Sequence, residues 1–186
     1  MIRFDGVTFG YRGKKPVLED LNLEIRPGDR LCLFGPSGLG KTTVLRLLMG
    51  LEKPRRGQIT GTEGLRFSAV FQEDRLIARK TVLENAALFA DESRARTVLE
   101  QLGLEEVLGS LPGELSGGQR RRAALGRALA HPFDVLVLDE ALTGLDEAAA
   151  ENCLKCIDQI AGDKTVVMVT HDRAHALALH ARLVEL

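Results

Sequence analysis

The stretch RLCLFGPSGLGKTTVLRLL, Arg30 to Leu48, decides how this chain is built. RLCLF is an apolar run of strand length, KTTVLRLL spaces its apolar residues as a helix does, and GPSGLGKT lies between them. Those residues, Gly35 to Thr42, satisfy G-x-x-x-x-G-K-[ST] at a strand-to-helix junction, the setting in which the pattern has a physical meaning. Gly35, Gly38 and Gly40 let the backbone curl so that its N–H groups converge on phosphate oxygens, and the helix start adds positive potential. Pro36, Ser37 and Leu39 complete the loop and Thr43 continues it into the helix. Lys41 is placed to bridge β- and γ-phosphates, and the Thr42 hydroxyl to hold Mg²⁺.

Outward from this loop the pattern is α/β. MIRFDGVTF and LNLEI alternate apolar and polar residues ahead of RPGD, a type II turn signal, and predict an antiparallel edge. GQIT and LRFSAVF read as strands, the second ending at Gln72, with a short hairpin expected before it. From Glu73 to Gly113 the spacing turns helical, in TVLENAALFA and SRARTVLEQLGL, which predicts a helical lobe. A helix from Ser116, the strand DVLVLDE, a helix from Glu147, the strand TVVMVT, a helix across AHALALHA and a final RLVEL follow. Near-continuous apolar strands such as VLVL fit a parallel sheet buried on both faces.

Ligands of open α/β sheets gather at the carboxyl ends of the strands. Asp139 and Glu140 end DVLVLDE, His171 follows VVMVT, and Gln72 follows SAVF. With a phosphate loop present, Asp139 reads as the metal-side carboxylate and Glu140 as a general base for the attacking water. His171 is placed to meet a γ-phosphate, and the Gln72 amide to meet the metal or the water. Any one of these alone reads as a solvated strand end; their convergence on one crevice carries the argument. A second anion site is written in LSGGQ, Leu115 to Gln119, where Ser116 is a good N-cap and the N–H groups of Gly117 and Gly118 open a helix.

Composition removes several classes. Lys and Arg total 25 against 26 acids, a net charge of −1, so there is no global field for nucleic acid or an anionic membrane surface. The run Arg120 to Arg122 has no interleaved aromatics and reads as surface solvation and intersubunit contacts rather than a nucleic-acid patch. No run of eighteen apolar residues occurs, and the first residues lack a signal-peptide pattern, so a cytosolic protein is expected. Three cysteines fit a reducing compartment. Cys153 and Cys156 form C-x-x-C on one helix face without a second pair, which favours packing and leaves any chemical role open. His171 and His175 lack the Glu of H-E-x-x-H and are not read as a zinc pair.

GPSGLGKTT, LSGGQ, VLVLDE, TGLD and VTHD, in that order, resemble the ATP-binding cassette (ABC) ATPases from Tyr11 to His171. The resemblance implies a P-loop NTPase core with a RecA-like parallel sheet, an N-terminal antiparallel β subdomain and an α-helical subdomain at roughly 73–114, all within one domain, 1–186. It implies ATP and Mg²⁺, with Tyr11 stacking on adenine, Gln72 as the Q-loop glutamine and metal neighbour, Asp146 as the D-loop aspartate and His171 as the switch histidine. Leu115, Ser116, Gly117, Gly118 and Gln119 would face the ATP of a second cassette in a head-to-tail dimer, most simply a homodimer. A reading of Tyr11 as an ordinary edge-strand residue stays open.

VFQEDRLIARKTVLENAALF looks like the ATPase subunits of bacterial importers of the nitrate, sulfonate and taurine type. That likeness implies transmembrane permease partners, an extracytoplasmic solute-binding protein in the full system, and a place at the cytoplasmic face of the membrane. The chain departs from those importers where they commonly read Leu-Pro-Trp, having Ile77, Ala78 and Arg79, and where Pro is common it has Ala141. A soluble ABC ATPase of repair, translation or cofactor assembly is the alternative. A P-loop kinase or GTPase would leave LSGGQ and His171 without a purpose.

Overall fold

The structure is a computed structural model that describes residues 1–13 and 15–186. Strands β1 (Ile2–Phe9) and β2 (Leu18–Ile25) open the chain. The turn to β3 (Arg30–Phe34) has Gly28 at φ 81 and the Asp29 N–H donating to Arg26 O at 3.0 Å, the type II geometry that Pro27–Gly28 favours. Then come α1 (Lys41–Leu48), β4 (Arg56–Thr60), β5 (Phe67–Val70), α2 (Val82–Ala86) and α3 (Glu92–Gln101). The chain ends through α4 (Gly117–Ala130), β6 (Val135–Asp139), α5 (Glu147–Ala161), β7 (Thr165–Val169), α6 (Arg173–Ala178) and β8 (Arg182–Glu185).

Five strands form a parallel sheet in the order β5-β6-β7-β3-β8. Successive strand side chains point to opposite faces, and here both faces are covered. Leu31, Leu33, Val135, Val137, Val167 and Val169 pack with α1 and the antiparallel strands; Cys32, Leu136, Leu138, Val166 and Met168 pack with the helices of the other side. That is why VLVL shows no polar alternation. Each fully buried Leu contributes roughly 2 kcal/mol by area. Parallel strands also bring all their carboxyl ends to one edge, which positions the site.

The α/β core, the antiparallel strands and the helices beyond Gln72 agree with the sequence reading; three details do not. First, β4 pairs with β1 in a separate sheet of order β2-β1-β4, so the segment before Gln72 crosses between sheets and is not a hairpin of β4 with β5. Second, residues 73–80 hold no helix. Asn85, fully buried, accepts from Ile77 N at 2.8 Å and donates to the carbonyls of Ile77, Lys80 and Thr81, fixing a loop, and Thr81 with Glu84 then caps α2 in a capping box. Three short 3₁₀ turns, Ala87–Phe89, Glu105–Val107 and Pro112–Glu114, break the helical pattern further.

Third, the arginine run is not a solvated face. Arg120 donates to Leu115 O at 2.7 Å, and Arg122 to Leu102 O and Gly103 O. Arg121 is buried, donates to Phe71 O and Gln72 O at 2.9 Å each, and pairs with Asp74 at 3.1 Å. Arg127 donates to Asp74 O and Arg75 O. A segment without regular structure leaves its carbonyls unpaired, and α4 supplies the donors. Arg121→Met is expected to lower unfolding free energy by about 3 kcal/mol, because it strips two carbonyls and a carboxylate of a charged partner. Urea denaturation measures this, and an unchanged midpoint would contradict it.

Candidate active site

The loop after β3 owes its shape to glycine. Gly40 has φ 88, and a Cβ there would stand 2.8 Å from Val17 Cγ1 and 2.9 Å from Leu18 Cδ2, so both backbone and space exclude a side chain. Lys41 is buried, and its ammonium donates back to Gly35 O at 2.7 Å and Pro36 O at 2.8 Å. The positive charge is thus held at the mouth of the loop, in line with the start of α1.

Across β7 from this loop, β6 ends in the acids. Asp139 pairs in register with Val169, is buried, and accepts from Thr42 Oγ1 at 3.2 Å. Burial pushes its carboxyl pKa up, opposed by that hydrogen bond. A desolvated carboxylate beside a hydroxyl is a hard oxygen pair suited to a divalent cation, whose charge would offset the desolvation.

Glu140 follows in a left-handed conformation, φ 54, which costs a non-glycine residue about 1–2 kcal/mol and turns its side chain sharply out of the strand direction. Its N–H donates to Val169 O at 3.0 Å. One carboxylate oxygen, Oε1, lies 2.8 Å from His171 Nε2; the other, Oε2, accepts from Thr143 Oγ1 at 3.1 Å.

Lys41, Thr42, Gln72, Asp139, Glu140 and His171 all line one cavity of about 530 Å³, together with Ser37, Gly38, Gly40 and Thr43. Tyr11 lines it too, its ring edge-on to Phe9 with centroids 5.1 Å apart and its hydroxyl 3.5 Å from Thr43 Oγ1. Leu39 is exposed, while Gly35 and Pro36 offer the carbonyls that hold Lys41.

Residues Leu115 to Gln119 and Asp146 are not among those lining the cavity. Ser116 and Gln119 form a capping box at α4: Ser116 Oγ accepts from Gln119 N at 3.2 Å, and Gln119 Oε1 accepts from Ser116 N at 2.9 Å. Asp146 caps α5 by accepting from Ala149 N at 2.9 Å. A Cβ on Gly118 would lie 3.5 Å from Leu145 Cδ2, so the opening of α4 sits beside the turn that leads into α5.

Two residues to which the sequence reading gave no role at the site enter here, Thr143 and Arg121. TGLD drew notice only for its Asp, although Thr143 stands three residues after Glu140, the spacing of a turn. Arg121 and Asp74 are 47 residues apart, and nothing in the pattern pairs them.

The three cysteines are not among the residues that line this cavity. Burial pushes the thiol of Cys32 up to about 11 and that of Cys153 up to about 12, and Cys156 is raised by burial as well. Alkylation needs a thiolate. Iodoacetamide at pH 8 is expected to leave Cys32 and Cys153 unmodified in the folded protein and to label both in denaturant; labelling under native conditions, read by mass, would contradict their packing.

A loop of amides and a lysine at a central strand, facing acids on the strand beyond its neighbour, defines a P-loop nucleoside triphosphatase. The chain belongs to the ABC transporter family, whose model, described as ABC transporter, matches residues 18–143. It is 40% identical over 192 residues to aliphatic sulfonates import ATP-binding protein SsuB 1 of Rhodococcus jostii (strain RHA1), covering 98% of this chain and 78% of that protein. It is 42% identical to spermidine/putrescine import ATP-binding protein PotA of Methylococcus capsulatus, covering 92% of this chain and half of that one. The dimeric structure of MJ0796, a bacterial ABC transporter cassette, superposes with a TM-score of 0.90 at 30% identity, over 100% of this chain and 94% of that chain. The same cassette is also known in a post-hydrolysis state bound to ADP and Pi. The fold class read from the sequence and the assignment as an ATPase both stand.

Proposed function

We propose that this chain is the ATP-hydrolysing subunit of a membrane ABC importer. The observation that carries it is the single cavity into which Lys41, Thr42, Asp139, Glu140, Gln72 and His171 project from one loop and three strand ends. Loop amides and Lys41 bind the β- and γ-phosphates, Tyr11 takes the adenine, and His171 contacts the γ-phosphate. Glu140 accepts a proton from the attacking water. Thr42, Asp139 and Gln72 would hold Mg²⁺, which neutralises charge on the phosphate oxygens when bound.

Ser116, Gly117, Gly118 and Asp146 lie outside that cavity and serve the nucleotide of a second cassette, Leu115 and Gln119 framing the helix opening. Two copies facing head to tail complete two sites. The chain acts as one domain, 1–186, whose helical part, roughly 73–114, faces a permease. There the Asn85-fixed loop exposes Ile77, Ala78 and Arg79, and Phe89 is 70% exposed. Among the described residues no helix is long and apolar enough to cross a membrane. Attachment at the cytoplasmic face through the permease follows, with an extracytoplasmic binding protein supplying solute.

Relatives named as import subunits, seven of them for aliphatic sulfonates, support import over a soluble role and favour an organosulfonate as solute. Affinity purification from detergent-solubilised membranes of the native cell tests the reading. Recovery of a permease with several membrane spans is the expected result; recovery of the chain alone and only from the soluble fraction would favour the soluble ATPase.

A further inference from the structure

Thr143 opens the stretch TGLD, and its side chain faces the catalytic cavity beside Glu140. It is exposed, so burial does not account for where it points. A local turn does: the Thr143 N–H donates to Glu140 O at 3.1 Å, and the hydroxyl repeats that span by donating to Glu140 Oε2, also at 3.1 Å. Main chain and side chain of one residue therefore hold main chain and side chain of the other.

A glutamate carboxylate swings on three torsions unless its oxygens are fixed. Here Oε1 meets His171 and Oε2 meets Thr143, and among the described residues these are its only hydrogen-bonding partners. The two differ in permanence. The His171 side chain is 60% exposed and is the group assigned above to the γ-phosphate, whereas Thr143 is tied to Glu140 by the turn itself. When His171 turns to phosphate, Oε1 is free to face the water and only Thr143 still orients the carboxylate. Small displacements of a base cost large factors in rate.

We infer that Thr143 is a positioning residue for the general base, its hydroxyl holding Oε2 so that Oε1 stays aimed at the attacking water. This rests on Glu140 as the base.

Steady-state ATP hydrolysis by the purified full chain, at concentrations that let two copies pair, tests it with Thr143→Val, Thr143→Ala and Thr143→Ser beside Glu140→Gln. Val and Ala are expected to lower kcat about tenfold, the loss of one charge-assisted hydrogen bond, with KM for ATP within about twofold. Ser, which keeps the hydroxyl, is expected to stay within about twofold of the parent in kcat. Parental or raised kcat in Val and Ala, with Glu140→Gln inactive, would overturn the inference while leaving the base assigned. So would a raised KM at intact kcat, which makes Thr143 a nucleotide contact, or a fall in Ser equal to that in Ala. Hydrolysis by Glu140→Gln at the parental rate would remove both readings together.

Discussion

Glu140→Gln is expected to lower kcat by about 10²- to 10⁴-fold, the usual worth of a general base, while ATP still binds. Geometry separates the two functions. The contacts proposed for phosphate belong to the loop and Lys41, whereas the Glu140 carboxylate stands between His171 and Thr143. Gln keeps the shape and hydrogen-bonding reach of the side chain but cannot take a proton near neutral pH. A dimer closed on ATP then has no exit through hydrolysis and accumulates. Size-exclusion chromatography with and without ATP reads that accumulation, and a coupled phosphate assay reads the rate. Turnover at the parental level would show that another group accepts the proton.

Ser116→Arg is expected to reduce ATP hydrolysis to background while the affinity of a single chain for ATP stays within about twofold, since a residue away from the pocket removes no contact. Ser116 is exposed at the opening of α4 and does not line the cavity of its own chain. An arginine there places a long charged side chain where, in the head-to-tail pairing proposed above, a second cassette's nucleotide would approach the N–H groups of Gly117 and Gly118. The substitution also removes an N-cap, worth about 1 kcal/mol of stability. Ser116→Asp, which keeps the cap yet sets a negative charge against phosphate, should block closure equally and separates the two effects. Sedimentation with ATP reports closure, and titration of a fluorescent ATP analogue reports monomer affinity. A large loss of monomer affinity would move LSGGQ into the chain's own site.

The gathering of the candidate residues at one strand edge was legible because its signals are local: a glycine loop between strand and helix, and polar residues just past apolar strands, keep their meaning without knowledge of the fold. Strands such as VLVL were legible for the same reason, since burial on both faces leaves a run with nothing polar in it. What escaped depends on distance. Arg121 reads as one of three adjacent charges until the carbonyls of Phe71 and Gln72, 50 and 49 residues away, are brought against it. The loop at 77–81 carries helical spacing, yet the buried Asn85 amide overrides that spacing by satisfying four backbone groups at once. The partner of β4 is likewise set by β1, far upstream, and not by the neighbouring strand in sequence.

The lysine folded over the carbonyls of Gly35 and Pro36 bears on how quickly a nucleotide can be accepted. A buried ammonium that first had to shed water would add a barrier to each binding event; here that dehydration is met once, when the chain folds. On the nucleotide-binding role proposed above, an arriving triphosphate would replace two neutral carbonyl acceptors with charged oxygens, the stronger partners for an ammonium.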